Sequence, residues 1–253
     1  MPEQKIALIT GANRGLGRAD AFALADDGVD VILTYRHGKA EAEQVVREIE
    51  ERGRAAVALP LDTTVVASFA DFAANVREVL GSRWNREHFD VLVNNAGFAH
   101  VSPFAETTES NFDDMVNVHL KGPFFLTQAL LPLLADGGSI VNFSTGLTRF
   151  VAEGSSAYAS MKGAIEVLTK YQAKELGASR SIRVNVVAPG PTATDFGGGF
   201  MKSEQFRAGA ASQIALGRVG EPEDIGEALA ALVSDAGRWI TAQRIEISGG
   251  ALL

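Results

Sequence analysis

Tyr158 and Lys162 stand four residues apart in a stretch of strongly helical pattern, so their side chains share one helix face. A free phenol titrates near about 10, too high for proton transfer near neutrality, but an adjacent ammonium stabilises the phenolate. Bringing the phenol to about 7 requires roughly 4 kcal/mol of differential stabilisation. The pair reads as a proton-transfer centre. Spacing alone does not decide this, because Tyr35 and Lys39 are also four apart. The 158/162 pair differs in having a hydroxyl-bearing strand end upstream, Ser144-Thr145. Adjacent strand residues point to opposite faces, so only one of these two hydroxyls is expected to face the pair.

A second constellation lies near the N-terminus. An apolar run leads into Thr10-Gly11-Ala12-Asn13-Arg14-Gly15-Leu16-Gly17, and a helical pattern follows. Glycines at a strand-to-helix turn let the backbone approach a pyrophosphate, and the helix N-terminus supplies N–H groups and a favourable dipole. The placement of the triplet in the first βα turn, more than its spacing, marks it as a dinucleotide fingerprint. The next strand ends in Thr34-Tyr35-Arg36-His37, with no carboxylate for ribose hydroxyls. Asp30 sits at the opposite end of that strand. Arg36 and Arg14 are instead suited to clamp a 2′-phosphate, so NADP(H) is expected over NAD(H).

The elements that would position these groups alternate along the chain. Apolar runs at 5–10, 29–35, 55–62, 89–97, 138–145, 182–190 and 244–248 read as strands. Helical periodicity occupies 15–27, 39–52, 65–80, 111–135, 155–178 and 222–235. Near-continuous Val, Ile and Leu in the strands imply a mainly parallel sheet buried on both faces. The expected fold is α/β, a Rossmann-type doubly wound sheet with helices on both faces, in one domain over residues 1–253. A β/α barrel would need an eighth strand, for which the pattern offers no candidate. Residues 81–88 read as a surface loop. Residues 195–212, headed by Gly197-Gly198-Gly199, read as a flexible substrate flap.

Composition narrows the chemistry. The 253 residues are 46% hydrophobic and 21% charged, a globular profile. There is no cysteine, which removes thiol nucleophiles, thiolate zinc sites and disulfides. His37, His88, His100 and His119 lack metal-ligand spacing, and no Gly-x-Ser-x-Gly elbow is present. The net charge of −8 and the absence of basic runs argue against nucleic acid. The N-terminal Met-Pro-Glu-Gln-Lys leads directly into the first strand, with no room for a signal peptide. No apolar stretch approaches the ~18 residues of a membrane span, so a cytoplasmic protein is expected.

The glycine turn, Asn94-Asn95-Ala96-Gly97, Tyr158-Ala159-Ser160-Met161-Lys162, Pro189-Gly190-Pro191-Thr192-Ala193-Thr194 and Ser248-Gly249-Gly250 occur in the order found in the short-chain dehydrogenase/reductases. The chain resembles that family over essentially its whole length, and the branch that includes 3-oxoacyl-carrier-protein reductases in particular. The resemblance implies that Asp62 and Thr63 meet the adenine and that Asn95, Ala96 and Gly97 flank the adenosine ribose. Pro189, Gly190, Thr192 and Thr194 would line the nicotinamide. With Gly11, Asn13, Arg14, Gly15, Leu16, Gly17, Tyr35, Arg36, Tyr158 and Lys162 they make up the expected cofactor site. The resemblance also implies no metal and a homo-oligomer, a tetramer or dimer, built on the helices carrying His119 and Tyr158.

Two positions depart from the family pattern. The family serine thirteen residues before the tyrosine is here Thr145, which keeps the donor and acceptor inventory of serine. The family asparagine of the catalytic tetrad is here His119, in Asn117-Val118-His119-Leu120-Lys121-Gly122. Its main-chain carbonyl could hold the relay water, its side chain could add a titrating group to the relay, or it is a neutral core histidine. The expected catalytic set is Tyr158, Lys162, Thr145 and His119. They would interconvert a ketone and a secondary alcohol, a small-molecule substrate. The alternative is a dinucleotide-binding regulatory protein with impaired turnover. Segments 98–104, 147–153 and 195–212 would wall the pocket, and Phe98, Phe150, Phe196, Phe200 and Phe206 suggest an apolar or aromatic ketone.

Overall fold

The computed structural model describes residues 4–253. Met1, Pro2 and Glu3, on which the expectation about a signal peptide rests, lie outside the described residues, as does the Phe200 side chain. Among the described residues, seven strands form one sheet: β1 (Ile6–Ile9), β2 (Asp30–Tyr35), β3 (Ala56–Pro60), β4 (Phe89–Asn94), β5 (Leu134–Phe143), β6 (Arg183–Pro189) and β7 (Arg244–Ile247). Their order is β3-β2-β1-β4-β5-β6-β7. Every pairing is parallel. The order reverses between β1 and β4, where open α/β sheets bind ligands at the carboxyl ends of their strands.

Strand alternation divides the core in two. Ala7, Ile9, Val31, Leu33, Val91 and Val93 face one side. There they pack with α1 (Gly15–Asp26), α2 (Lys39–Glu51) and a helix near the C-terminus, Pro222–Val233. Ile6, Leu8, Ile32, Leu92 and Ile140 face the other side. They meet α3 (Phe69–Val79), a helix at Gly122–Leu130 and the long helix Ser156–Arg180. With α4 (Glu109–Val116) and a helix at Glu204–Ala211, the last four helices in chain order are α5 (Gly122–Leu130), α6 (Ser156–Arg180), α7 (Glu204–Ala211) and α8 (Pro222–Val233). No helix among the described residues is long and apolar enough to cross a membrane.

Three segments differ from the sequence reading. The helix expected at 111–135 is broken by a π-helical turn, Asn117–Lys121, that carries His119. Such turns widen the backbone locally and recur at functional sites. Part of the expected loop 81–88 is helical, because α3 continues into a π-helical turn, Leu80–Trp84. Its Trp84 Nε1 donates to Asp30 at 2.8 Å. The expected flap at 195–212 is not an open loop. It holds short turns at Phe196–Gly198 and Phe200–Lys202, followed by α7. Phe206 and Ala210 pack there against Ala193, Ile214, Val219 and Ala251.

Candidate active site

A cleft of about 1290 Å³ runs along the carboxyl edge of the sheet. Its nucleotide end is the first βα turn. Gly11 and Gly15 take left-handed φ values of +65° and +58°. A Cβ on Gly17 would run into Asn95 and the Gly11 carbonyl. Arg14, the N-cap of α1, provides no side-chain cap, so the first-turn N–H groups of the helix have no side chain competing for them. An anion cradle of this kind fits a pyrophosphate.

The β4 end is tied to the same turn. Thr10 Oγ1 accepts from the N–H groups of Asn95 and Ala96, each at 3.0 Å, and Asn95 Nδ2 donates to the Thr10 carbonyl at 2.8 Å. The Asn95 side chain thus braces the glycine turn. Thr10 is absent from the sequence-based site, although its place as a hydroxyl residue before the first glycine is a usable signal. Thr34 is absent from it too. Its Oγ1 accepts from the Gly11 N–H at 3.2 Å.

Most residues expected to bind a cofactor line the cleft: Gly11, Asn13, Arg14, Gly15, Leu16, Arg36, Asp62, Thr63, Asn95, Ala96, Gly97, Pro189, Gly190, Thr192 and Thr194. Two do not. Tyr35 packs against the α1–α2 core, because it occupies the inward register of β2. Gly17 works through close packing against Asn95. Arg36 lines the cleft but is already engaged, with Nε 3.0 Å from Asp62 Oδ2. Burial pushes the Asp62 carboxyl up, but hydrogen bonds from Thr64 and the charge of Arg36 outweigh this and hold it low.

The chemical end gathers Thr145, Tyr158, Lys162 and His119 into the same cleft. Tyr158 sits in the first turn of α6, facing the end of β5. Thr145 caps a short turn, Gly146–Thr148, with its Oγ1 accepting from Leu147 N–H at 3.3 Å. Burial raises the Tyr158 phenol above its ordinary value, and a hydrogen bond with Thr145 offsets part of that rise. Ser144 turns away, donating to Glu166 at 2.6 Å. Of the two neighbouring hydroxyls, therefore, that of Ser144 is engaged by Glu166, and that of Thr145 is the one left to the cleft.

Lys162 Nζ donates to the Phe143 carbonyl at 2.7 Å and lies 5.6 Å from the Tyr158 ring centroid. Burial brings it down to about 7. Lys162 does not by itself bring the tyrosine to neutrality in this structure. Desolvation dominates both groups, and it favours the neutral phenol and the neutral amine.

His119 Nε2 lies 2.6 Å from the Phe98 carbonyl. A carbonyl only accepts, so Nε2 carries the hydrogen and Nδ1 is left as a lone pair. Nδ1 is buried without a protein partner. Burial and the neighbouring Lys162 charge hold His119 well below the ordinary histidine value. It is a fixed neutral acceptor rather than a titrating group near neutrality. Its ring crosses that of Tyr158 edge-on, with centroids 5.0 Å apart. A Cβ on Gly97 would collide with His119 Cε1 at 2.7 Å, so that glycine makes room for the ring.

This fold and this site define an oxidoreductase of the doubly wound class. Residues 11–251 match the family described as Enoyl-(Acyl carrier protein) reductase. The chain is 36% identical over 252 residues to 3-oxoacyl-acyl-carrier-protein reductase FabG of Staphylococcus aureus, covering 99% of each. It is similar to the promiscuous reductase LugOII, which catalyses keto-reduction at C1 during lugdunomycin biosynthesis (36% identity, TM-score 0.93, 99% of each chain). It is also similar to the angucycline C-6 ketoreductase LanV with bound NADP (37% identity, TM-score 0.91, 98% of this chain and 95% of that one). The chain belongs to the short-chain dehydrogenase/reductase family.

Proposed function

We propose that this protein is an NADP(H)-dependent oxidoreductase that interconverts a bulky, apolar ketone and its secondary alcohol. The observation that carries this reading is the meeting of Thr145, Tyr158 and a buried Lys162 at the carboxyl edge of the sheet, in one cleft with the anion cradle. Gly11, Gly15 and the start of α1 would hold the pyrophosphate, and Arg14 and Arg36 the 2′-phosphate. Asp62, Thr63, Asn95, Ala96 and Gly97 would enclose the adenosine, and Pro189, Gly190, Thr192 and Thr194 the nicotinamide. NADPH, when bound, supplies the hydride.

The chain supplies the rest of the reaction. The Thr145 and Tyr158 hydroxyls, both in the cleft, would fix the ketone oxygen. As negative charge grows on that oxygen, Tyr158 gives it the phenolic proton. A buried phenol keeps that proton until so strong a base forms beside it. The phenolate left behind is stabilised by the protonated form of Lys162, which burial brings down to about 7, and by the Thr145 hydroxyl in the same cleft. His119 Nδ1 offers a fixed acceptor next to this path. Phe98, Leu147, Phe150, Val151, Phe196 and Phe206 line the remaining wall and favour an apolar substrate.

The proposal extends to a homo-oligomer. Phe124 and Phe125 on α5 and Val167 and Tyr171 on α6 expose apolar surface, of the kind that marks protein contacts. A cytoplasmic location completes the reading, and cell fractionation would test it.

Oxidation of NADPH, followed at 340 nm with a panel of ketones, tests the activity. We expect turnover with apolar cyclic ketones. In Tyr158→Phe we expect kcat to fall by about 10³-fold or more with NADPH affinity within about twofold. NADPH binding without turnover on any ketone would instead favour the regulatory reading.

A further inference from the structure

Four charged side chains lie behind the turn that carries Thr145, and the proton and hydride steps use none of them. Glu166 Oε1, from α6, accepts from Ser144 Oγ at 2.6 Å, Thr148 Oγ1 at 2.7 Å and Arg244 Nε at 2.7 Å. Arg244, on β7, reaches the Thr145 carbonyl at 3.3 Å with Nη2 and Glu246 at 2.9 Å with Nη1. Glu246 then accepts from Arg149 twice, at 2.9 and 2.6 Å. Arg149 donates onward to the Leu252 carbonyl at 2.8 Å and to that of Ala251.

The chain of contacts links two parts of the substrate pocket. At one end is the backbone that aims Thr145. At the other are Ala251 and Leu252, which line the cleft. That tail also holds the segment after α7: Leu252 N–H donates to Gln213 at 2.8 Å, Ala215 N–H to Gly250 at 3.1 Å and Leu216 N–H to Gly249 at 3.0 Å. The side chains of the four charged residues are only 19–36% exposed. Stability alone is a poor reason to gather partly desolvated charges, since such pairs gain little over apolar packing. Fixing geometry is a better one, because arginine forks hold two acceptors in a set plane.

We propose that Glu166, Arg244, Glu246 and Arg149 form a positioning network with two separate outputs. Glu166 and Arg244 set the orientation of Thr145, while Arg149 holds the tail that walls the ketone pocket and thereby sets which ketones fit. The proposal rests on the reductase reading. The two fail differently, since a wild-type protein inactive on every ketone sinks the reading, whereas the network is judged by how variants of an active enzyme divide.

Steady-state kinetics with one bulky and one small ketone provide the test. For Arg149→Met, we expect the bulky-ketone KM to rise about 5–10-fold, with kcat and the NADPH KM within about twofold. Arg149→Lys keeps the charge without the fork and should not restore the KM. For Glu166→Ala, we expect kcat to fall about tenfold on both ketones, with partial recovery in Glu166→Gln. If Arg149→Met does not fold, Glu246→Gln, which releases Arg149, should show the same rise in KM. The proposal is overturned if the variants lose thermal stability while ketone constants stay unchanged, or if all of them depress kcat and raise KM alike.

Discussion

Lys162 is an amine taken out of water and held by the Phe143 carbonyl, and its proton is correspondingly loose. That has a consequence for the cofactor-free protein. Between about pH 7 and the ordinary lysine value of about 10.4, the unfolded chain binds this proton and the folded chain does not. Stability then rises with pH across that window. Tyr158 acts in the opposite sense further up. Its raised value means the folded state keeps a proton that the unfolded state loses above about 10, so the gain reverses there. We expect the Tm of the wild type to climb from pH 7 to 9.5 relative to Lys162→Met, measured by calorimetry without cofactor. Parallel curves would contradict the assigned burial of Lys162. The four candidate residues were legible as candidates because their spacing is local or motif-bound. Their charge states were not, since desolvation depends on packing from β5, α6 and the π-turn together.

At the scale of elements, α1 carries both the anion cradle and an unresolved cost. Asp20 lies on its buried face, and neither carboxyl oxygen has a hydrogen-bond partner. Burial raises its pKa well above the ordinary value, so the folded state holds a proton that the unfolded chain releases above about 4. Stability is lost as pH rises through that region until the folded pKa is passed. Asp20→Asn keeps the shape and removes the titration. We expect it to raise Tm near pH 7, with little gain at pH 4, and an unchanged or lower Tm at pH 7 would refute this.

Element positions were largely readable, because Val31, Ile32 and Leu33 in β2 could be satisfied only by cover on both faces. The π-turn at Asn117–Lys121 was not. The helical pattern runs through it unbroken, and the backbone that meets it is distant in sequence: Gly122 lies so close to the Thr63 carbonyl that a Cβ there would clash. The Arg36–Asp62 pair was hidden for a similar reason, since it joins residues at the ends of two different strands. Glycines at 197–199 promise a free flap, yet the apolar contacts of Phe206 and Ala210 anchor the helix C-terminal to them.

Across the whole molecule, the charge of −8 coexists with a cleft whose nucleotide end presents Arg14, Arg36 and a helix N-terminus. Net charge argued against one class of polyanion without describing the local field. The apolar exposure on α5 and α6 bears on assembly. We expect light scattering to give a mass at least twice that of the 26.8 kDa chain. Phe124→Glu combined with Tyr171→Glu should shift it to the monomer while the secondary structure is kept. A wild-type monomer at micromolar concentration would overturn the assignment. Family membership was legible from motif order, whereas the Glu166–Arg149 network was invisible, because its members are scattered over 149–246 and meet only once β7 lies beside β6.

That last pairing also sets an order of construction. From β4 onward the strands are added to the sheet in the order in which they are synthesised, and β7 is the outermost on its side. The nucleotide cradle is built from β1, β2 and β4, all made early. The ketone wall needs the tail at 249–252, which is placed only when β7 docks. A nascent chain can therefore form the pyrophosphate end of its cofactor site well before the wall around the ketone is complete.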